Sequence, residues 1–272
     1  MVTHNSEKYL EINLSHIETQ QFKPSEIIIV DSGSKCPNYL KELTKNLTIK
    51  TKVILNSSNI GFSKGNNIGL KNLDKNTDYV IFLNPDAFLP EDFIANIIYL
   101  TNKYKQLNIF TGKLIGYDVN AETSTNLIDS TGIFKNWYGR WYDRGQGKVD
   151  LGQYDNEILE YIPAICGALI ICKYLLVKKI INNRRQFFDE SFFMYKEDIE
   201  LSLYTISVGE VPKYFFNLKA FHCRGWNNNR KKMSRIARLL SAKNDVIIAF
   251  RYSRLSIPFS ILKYLGVKFF NL

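Results

Sequence analysis

Short apolar runs alternate with amphipathic stretches along the first hundred residues. Runs rich in β-branched and aromatic residues, typical of buried strands, occupy four places: 1–3, 26–30, 51–55 and 79–83. Apolar residues recur at helical spacing in the intervals: 7–17, 38–47 and 63–73. Strands and helices that alternate in this way form parallel βαβ units. The pattern therefore predicts an α/β fold built on a parallel sheet with flanking helices.

The second half of the chain has a weaker pattern. Residues 109–153 are rich in glycine and aromatic residues without a clear period, and a short apolar segment follows at 166–171. A helix is expected from about Lys196 to Ser207. Near the end of the chain, basic residues alternate with apolar ones at helical spacing. This spacing predicts a basic amphipathic helical tail.

Composition places the chain among globular proteins. It has 272 residues, 45% of them hydrophobic, which is enough for a full core and argues against disorder. The four cysteines form no CxxC pair and no metal-finger spacing, so we expect reduced thiols in a cytoplasmic protein. Residues 1–10 lack a signal-peptide pattern, and the longest charge-free apolar run, 161–172, is shorter than a membrane span. We therefore expect neither a disulfide-stabilised secreted domain nor a membrane-spanning protein.

The net charge of +10 is concentrated near the end of the chain. From Lys213 onwards there are 13 Lys or Arg and one acid, Asp245, whereas the first 212 residues carry a balance of −2. A basic amphipathic helix suits an anionic membrane surface, with bases toward the headgroups and apolar residues below them. Contact with a partner protein or with a second copy, giving a homodimer, is the alternative. Nucleic acid is not expected, because no DNA- or RNA-binding module is recognisable.

Polar residues follow the predicted strands, where open parallel sheets bind ligands. Asp31 follows the second strand, and Asn84-Pro85-Asp86 follows the fourth. Asn-Pro-Asp is also common turn chemistry, so a simple strand stop is the competing interpretation. A divalent cation on a nucleotide diphosphate needs only one such carboxylate, because phosphate and water oxygens fill its other positions. The glycine-rich loop 59–69 matches neither a P-loop nor a dinucleotide-binding fingerprint.

Two acids, Glu197 and Asp198, open the later predicted helix. Acids in a first turn are favoured by the helix dipole, which is a sufficient structural reason for the pair. A carboxylate kept away from the metal can instead take a proton from an attacking hydroxyl as a general base. Both interpretations stay open at the level of the residues alone.

A set of segments in a fixed order resembles glycosyltransferase family 2, especially its bacterial rhamnosyltransferase-like branch. The segments are VTHNSEKYL, IIIVDSGS, NIGFSKGNNIG, YVIFLNPDA, FFDESFFMYKEDIELSLY and FHCRG. Residues 128–155 also resemble that branch. The resemblance implies a GT-A fold, an α/β nucleotide-diphospho-sugar transferase fold with a mostly parallel central sheet flanked by helices. It divides the chain into a GT-A domain (1–225), with a nucleotide-sugar half (1–108) and an acceptor half (109–225), and a basic helical tail (226–272).

The resemblance also implies roles for individual residues. The nucleotide sugar would lie among residues of the first loops: Thr3, Asn5, Asp31, Asn59, Gly61, Asn67, Asn84 and Asp86. Asp86 would hold Mg²⁺ or Mn²⁺, with His222 beside the metal or the diphosphate. Asp198 would be the general base, with Glu197 next to it. The acceptor would border Cys166, Gly167 and Trp226, although packing is an equally good reason for the first two.

The activity implied is an inverting, metal-assisted single displacement that moves a sugar to a hydroxyl of a glycan or lipid-linked saccharide in cell-surface polysaccharide synthesis. Rhamnose from its dTDP donor is the first expectation, and a hexose from UDP is the alternative. A second alternative is a nucleotide-sugar-binding protein with little turnover. Members of the family usually have a complete strand before the threonine, whereas only Met1 and Val2 precede Thr3 here. The expected location is the cytoplasmic face of the bacterial cell membrane.

Overall fold

The computed structural model describes residues 1–155, 158–223 and 234–270. The first half alternates strands and helices as the pattern predicts. The strands are β1 (Val2–Thr3), β2 (Ile27–Ser32), β3 (Thr51–Asn56), β4 (Tyr79–Leu83) and β5 (Ala87–Phe88). The helices are α1 (Glu7–Glu18), α2 (Asn38–Thr44), α3 (Gly61–Lys71) and α4 (Phe93–Lys103). The predicted strand 79–83 is confirmed residue for residue, because turn residues bound it on both sides.

The first three strands form a parallel sheet in the order β1-β2-β3. All six residues of β2 are buried, which agrees with its unbroken apolar run. The ladder between β2 and β3 continues to Asp31 and Ser32, two residues beyond the apolar run that ends at Val30. Asp31 therefore stands at the end of a strand and not in a free loop.

The second half contains more regular structure than its pattern predicts. Its strands are β6 (Ile109–Asp118), β7 (Thr123–Ser130), β8 (Ile133–Lys135), β9 (Trp141–Asp143), β10 (Glu160–Tyr161), β11 (Leu169–Lys173) and β12 (Lys213–His222). Its helices are α5 (Tyr174–Arg184) and α6 (Glu197–Ser207). Four of these strands, β6 to β9, lie in 109–153, where the sequence shows no clear period. The first eight residues of β6 are all buried, so the strand shows no polar alternation that could reveal it.

Five of these strands join β4 and β5 in a second sheet, in the order β10-β12-β6-β11-β4 with β7 beside β6 and β5 beside β12. β8 and β9 pair with each other in a separate two-stranded sheet. β12 is parallel to β6, and β11 is antiparallel to both β6 and β4. β4, β6 and β12 therefore run in the same direction, and β11 is reversed between β4 and β6. The outer strands β5, β7 and β10 are also antiparallel to their neighbours. The prediction of an α/β fold with a mostly parallel sheet and flanking helices is confirmed.

A groove of about 580 Å³ lies along residues of β2 and β4. Aliphatic side chains such as Ile28, Val80 and Ile97 line it, and Met1 lies at its wall. The Met1 ammonium group donates to the Ile28 carbonyl over 2.9 Å, and burial lowers the pKa of that ammonium group to about 6. The groove is not lined by the acids after the strands, so it is separate from the candidate site.

The part of the predicted tail that the structure describes, residues 234–270, is helical. α7 (Arg235–Tyr252) leads through a 3₁₀ turn (Arg254–Ser256) into α8 (Ile257–Phe270). Ala242, Ile248 and Ala249 of α7 are buried, so one side of the helix is covered by the rest of the protein. Within the described residues, no helix is both long and apolar enough to cross a membrane.

Candidate active site

Thr3 and Asp31 meet where β1 and β2 end. The two residues are partners in the parallel ladder, and the Thr3 hydroxyl donates to Asp31 Oδ1 over 3.3 Å. Ser34 donates its hydroxyl to Oδ1 over 2.5 Å and its amide to Oδ2 over 2.9 Å. Each carboxylate oxygen has two acceptor positions, so this arrangement orients the buried Asp31 and leaves Oδ2 able to accept a further N–H, such as that of a pyrimidine.

Asn5 and Asn59 order the two exposed loops beside this pair. Asn5 has a left-handed backbone (φ 50°), and its Oδ1 accepts the Lys35 amide over 2.9 Å. Asn59 Oδ1 accepts the Ser32 hydroxyl and the Gly61 amide, both over 3.0 Å. The side-chain oxygens of both asparagines are thus used to shape the loops on which the donor site is predicted.

Gly61 begins α3 in close contact with the segment that leads to the acid pair. Its φ is +78°, and a Cβ at this position would lie 2.3 Å from the Phe193 carbonyl oxygen. The Phe62 amide donates to that same carbonyl over 3.0 Å. Only glycine fits such a backbone contact without displacing it, so the α3 start and the residues before α6 are packed together.

Asn67 joins α3 to the segment 187–190. Its amide nitrogen donates to the Phe188 carbonyl over 2.8 Å and to Glu190 Oε1 over 3.0 Å. Its oxygen accepts the amides of Phe187 (3.2 Å) and Phe188 (3.0 Å). The side chain is 5% exposed. Asn67 therefore holds two segments together, and a contact with the nucleotide sugar stays a prediction.

The Asn84-Pro85-Asp86 segment forms a turn that is fixed from both sides. The Ala87 amide donates to the Asn84 carbonyl over 3.1 Å, which closes the turn, and Asn13 donates its side-chain amide to the carbonyls of Asn84 (3.2 Å) and Ala87 (2.5 Å). The turn interpretation is therefore correct as geometry. It also presents Asp86, which is 30% exposed, at the end of β4.

His222 lies between two carboxylates. Its Nδ1 is 2.8 Å from Asp129 Oδ2, and its Nε2 is 3.4 Å from Asp86 Oδ1. Burial lowers the pKa of His222, but the hydrogen bonds to Asp129 and Asp86 outweigh burial and raise the pKa to about 9. In the absence of a metal, the imidazolium is thus the counterion of the two acids. β12 brings His222 here because its last residues pair with β5, directly after the turn.

The pair Asp86 and His222 fits a divalent cation on a diphosphate. Asp86 Oδ1 and His222 Nε2 lie 3.4 Å apart, close to the separation of two neighbouring ligands on one ion. Asp129 orients the histidine from behind, as carboxylates commonly do at metal sites. Among the described residues, no group of three or more metal-ligating side chains is assembled. Two protein ligands are sufficient where phosphate and water oxygens complete the coordination.

Glu197 and Asp198 begin α6, as the sequence predicts. Asp198 accepts two backbone amides over 2.8 Å each, from Gly167 to Oδ2 and from Ile199 to Oδ1. Burial raises the pKa of Asp198 against the opposing effect of these two amides. Glu197 is 7% exposed, and burial, followed by repulsion from Asp198, raises its pKa. Charge matching to the helix dipole alone does not account for such deep burial of an acid.

The two ends of the site are joined through consecutive residues of one segment. The Gly167 amide binds Asp198, and the carbonyl of the next residue, Ala168, accepts the Asn84 amide over 3.0 Å. The candidate base, Asp198, and the turn that carries Asp86 therefore bind neighbouring backbone groups. This contact places the acid pair beside the end of β4, although the two are more than a hundred positions apart in the chain.

Comparison with known proteins assigns the family. The model of glycosyl transferase family 2 matches residues 1–160. The chain belongs to glycosyltransferase family 2. Glycosyltransferase GlyA of Streptococcus pneumoniae is 27% identical over 146 residues, which is 50% of this chain and 20% of GlyA. The chain thus spans about a fifth of the length of this curated relative.

Solved structures show that this family 2 protein has the GT-A type fold. S. aureus TarS matches with a TM-score of 0.57 at 16% identity, covering 98% of this chain and 42% of TarS. GalNAc-T7 with UDP, GalNAc and Mn²⁺ matches with a TM-score of 0.61 at 15% identity, and the match covers 98% of this chain and 53% of the GalNAc-T7 chain. The Pyrobaculum calidifontis mannosyltransferase PcManGT with GDP-Man and Mn²⁺ matches with a TM-score of 0.60 at 13% identity, and the match covers 98% of this chain and 72% of the PcManGT chain. The predicted GT-A fold is confirmed.

The predicted acceptor residues of this family 2 chain have different surroundings. The side chain of Cys166 is 2% exposed within the main apolar core, so packing accounts for it and an acceptor could contact only the backbone here. Gly167 lies against Asp198, where an acceptor hydroxyl would have to approach. Trp226 lies outside the described residues.

Two residues of the site were not predicted from the sequence. Asp129 is fully buried behind His222, and Asn13 of α1 supports the Asn84 turn. Asp129 lies at the end of β7, in the stretch where the sequence shows no period, and Asn13 is a polar residue on an otherwise apolar helix side. A buried polar residue between apolar ones, as at Asn13, is the signal that could have indicated a structural contact.

Proposed function

We propose that this protein is an inverting glycosyltransferase that moves a sugar from a nucleotide diphosphate donor to a hydroxyl acceptor. One observation supports the proposal most directly. Two consecutive residues bind both parts of the site, because the Gly167 amide donates to Asp198 and the Ala168 carbonyl accepts the Asn84 amide. Through it, a candidate base and a candidate diphosphate site lie next to each other. Transfer to a hydroxyl needs both in one place.

In this mechanism the donor lies across the ends of β1 to β4, with its base near Asp31 and its diphosphate near Asp86. When bound there by Asp86 and His222, Mg²⁺ or Mn²⁺ would offset charge on the leaving diphosphate. Asp198 takes the proton of the acceptor hydroxyl, and that oxygen forms a bond to C1 of the sugar as the bond from C1 to the diphosphate oxygen breaks. The raised pKa of Asp198 makes its carboxylate more basic than a free aspartate.

Rhamnose from a dTDP donor is the first choice of sugar, on the strength of the resemblance over 128–155. A hexose from UDP is the alternative, and relatives of the same fold have been solved with UDP, UDP-GlcNAc or GDP-Man. The acceptor that we propose is a glycan or lipid-linked saccharide. A protein that binds nucleotide sugars with little turnover is the second candidate, since Asn84-Pro85-Asp86 supplies one carboxylate where the D-x-D motif of the family that it resembles has two.

A donor panel tests the proposal. Binding and hydrolysis of UDP, dTDP and GDP sugars are measured with Mn²⁺ for the wild type, Asp86→Ala, Asp198→Asn and the exposed control Asp92→Asn. We expect Asp86→Ala to weaken donor binding at least about tenfold. We expect Asp198→Asn to bind donor normally but to lose on the order of 10²-fold to 10⁴-fold in turnover. Binding without turnover in the wild type would favour the second candidate, and no binding of any donor would refute both.

We also propose that α8 places the enzyme on an anionic membrane surface at the cytoplasmic face. Large apolar side chains of the 3₁₀ turn and α8 are exposed: Leu255 (95%), Leu262 (69%), Phe269 (65%) and Phe270 (75%). Arg254 and Lys268 are exposed on the same elements. Two other bases of the tail serve internal contacts instead, since Arg251 pairs with Asp189 and Lys263 with Asp245. The exposed apolar side chains are therefore stronger support for this proposal than the net charge of the tail.

Co-sedimentation of the protein with lipid vesicles tests whether α8 binds a membrane surface. We expect binding to vesicles that contain phosphatidylglycerol, weaker binding to phosphatidylcholine, and loss of binding in the double variant Leu262→Gln/Phe269→Gln. Ile98→Gln/Tyr99→Gln on α4 is the matched control, because these side chains are also large and exposed. A soluble wild type that forms dimers, with dimers lost in the α8 variant, would identify the face as a homodimer contact instead.

A further inference from the structure

The turn before the acid pair has an unusual backbone. Tyr195 and Lys196 both have left-handed φ values, 70° and 71°, and α6 begins at the next residue. Such a conformation costs a residue with a side chain about 1 kcal/mol or more, so two in succession persist only where the surroundings hold them. The position of Asp198 depends on this turn, because the turn fixes the direction in which α6 starts.

A buried amide of the tail holds the turn. Asn244 of α7 is 2% exposed, and its side-chain nitrogen donates to the carbonyls of Met194 (3.1 Å) and Tyr195 (2.7 Å). Both amide hydrogens are thereby used on the two residues that lead into the turn. On the other side, the Phe193 carbonyl accepts the Phe62 amide. The turn is therefore held between α3 and α7.

The next residue of α7 holds the turn through charge. Asp245 is 7% exposed, its Oδ1 lies 3.4 Å from Lys196 Nζ, and its Oδ2 binds Lys263 of α8. Lys196 is the second left-handed residue, so its side chain and backbone are both constrained. Asp245 is also the one acid among the residues from 213 onwards. An isolated buried carboxylate would be costly, and the two lysines offset that cost.

We propose that Asn244 and Asp245 are positioning residues that hold the 194–196 turn and thereby set the place of Asp198 in the transferase site. The proposal rests on the proposed function, because the turn matters for turnover only if Asp198 acts on the acceptor. It makes α7 part of the catalytic unit, whereas the sequence predicts a tail that is separate from it. The donor-binding loops do not contact Asn244 or Asp245 in any described hydrogen bond, so donor affinity is expected to be independent of them.

Two variants and a control test the proposal. Asn244→Ala removes both donors, Asp245→Asn removes the charge but keeps the shape, and Lys243→Ala alters an exposed residue of the same helix. Hydrogen exchange of peptides covering 190–204 is compared with that of peptides covering β2 and α3. Steady-state turnover and donor KM are measured on the same samples. Exchange does not require activity, so it reports on the turn even if the transferase assignment fails.

We expect Asn244→Ala to speed exchange in 190–204 more than in β2 or in the rest of α3 beyond its first turn, to lower kcat roughly tenfold or more, and to leave donor KM within about twofold. Asp245→Asn should act in the same direction with a smaller effect, and Lys243→Ala should match the wild type. If Asn244→Ala does not fold, Asp245→Asn carries the test. Unchanged exchange in 190–204 would refute the contact, and faster exchange with unchanged kcat would refute the positioning role. If Asp198→Asn itself retains full turnover, the proposed function fails, not the contact between α7 and the turn.

Discussion

Gly167 donates its amide to Asp198 Oδ2 over 2.8 Å, and its Cα hydrogen faces the same side chain. A Cβ at position 167 would lie 3.3 Å from both Cβ and Oδ2 of Asp198. This is tighter than an ordinary van der Waals contact, so the carboxylate would have to shift by a few tenths of an ångström to admit it. The absence of a side chain at Gly167 is therefore tied to the place of the candidate base.

Gly167→Ala should reduce turnover while the protein remains folded. We expect kcat to fall roughly tenfold, because small displacements of a catalytic group are costly, with donor KM little changed. Gly69→Ala is the matched control, since a Cβ there would meet Val30 Cγ2 at an ordinary 3.5 Å. The control should keep full activity. Equal activity of both variants would show that Asp198 tolerates the crowding or has no role in the reaction.

Asp129→Asn should weaken metal binding without removing a metal ligand. Asp129 accepts from His222 Nδ1 over 2.8 Å and so orients the ring whose other nitrogen faces Asp86. Loss of this charge should raise the half-saturating Mn²⁺ concentration about tenfold or more. Asp92→Asn, an exposed acid, is the control. Titration of donor binding with Mn²⁺ measures the effect, and an unchanged Mn²⁺ requirement would argue against His222 as a ligand.

The sequence predicts the donor half of this fold better than the acceptor half, for a physical reason. In the first half, each strand is a short apolar run that ends at a polar residue such as Asp31 or Asp86, and each helix has its own period. β6 is buried in the middle of the sheet and lacks the alternation that marks a half-exposed strand. β12 alternates between exposed and buried residues only from Asn217 onwards, where a register shift interrupts its pairing with β6. Their existence depends on neighbours far away in the chain.

The site residues also divide into those that local pattern can predict and those that depend on distant parts of the chain. The residues at strand ends, Asp31 and Asp86, and the acid pair at the start of α6 could be placed by local pattern together with family resemblance. Asp129 and Asn244 could not, because each acts through a partner about fifty or more positions away. Only the tertiary fold brings an α7 amide to the turn before α6. Local signals identify the candidate chemical groups, but not the residues that hold those groups in place.

Glu197→Gln should change how stability depends on pH. Burial raises the pKa of Glu197 above its ordinary value of 4.5, so the folded state holds this proton more tightly than the unfolded state does. The stabilisation is fully present below pH 4.5 and is lost as the pH rises toward the folded pKa. The wild type should therefore lose melting temperature from pH 5 to pH 8 relative to Glu197→Gln, whose side chain stays neutral. Parallel curves for the two proteins would contradict a raised pKa.

Asn67→Ala should destabilise the protein more than it weakens donor binding. The substitution leaves the amides of Phe187 and Phe188 and the Phe188 carbonyl without the partner that they have in the folded protein, and we expect a loss of about 2–4 kcal/mol in the free energy of unfolding. Asn72→Ala is the control, because its exposed amide makes one bond, to the Ile68 carbonyl. Its cost should stay below about 1 kcal/mol. Urea unfolding measures both variants, and donor titration is done at a temperature where each is folded. A variant that keeps its stability but loses donor affinity would instead assign Asn67 to the nucleotide sugar, as the family resemblance predicts.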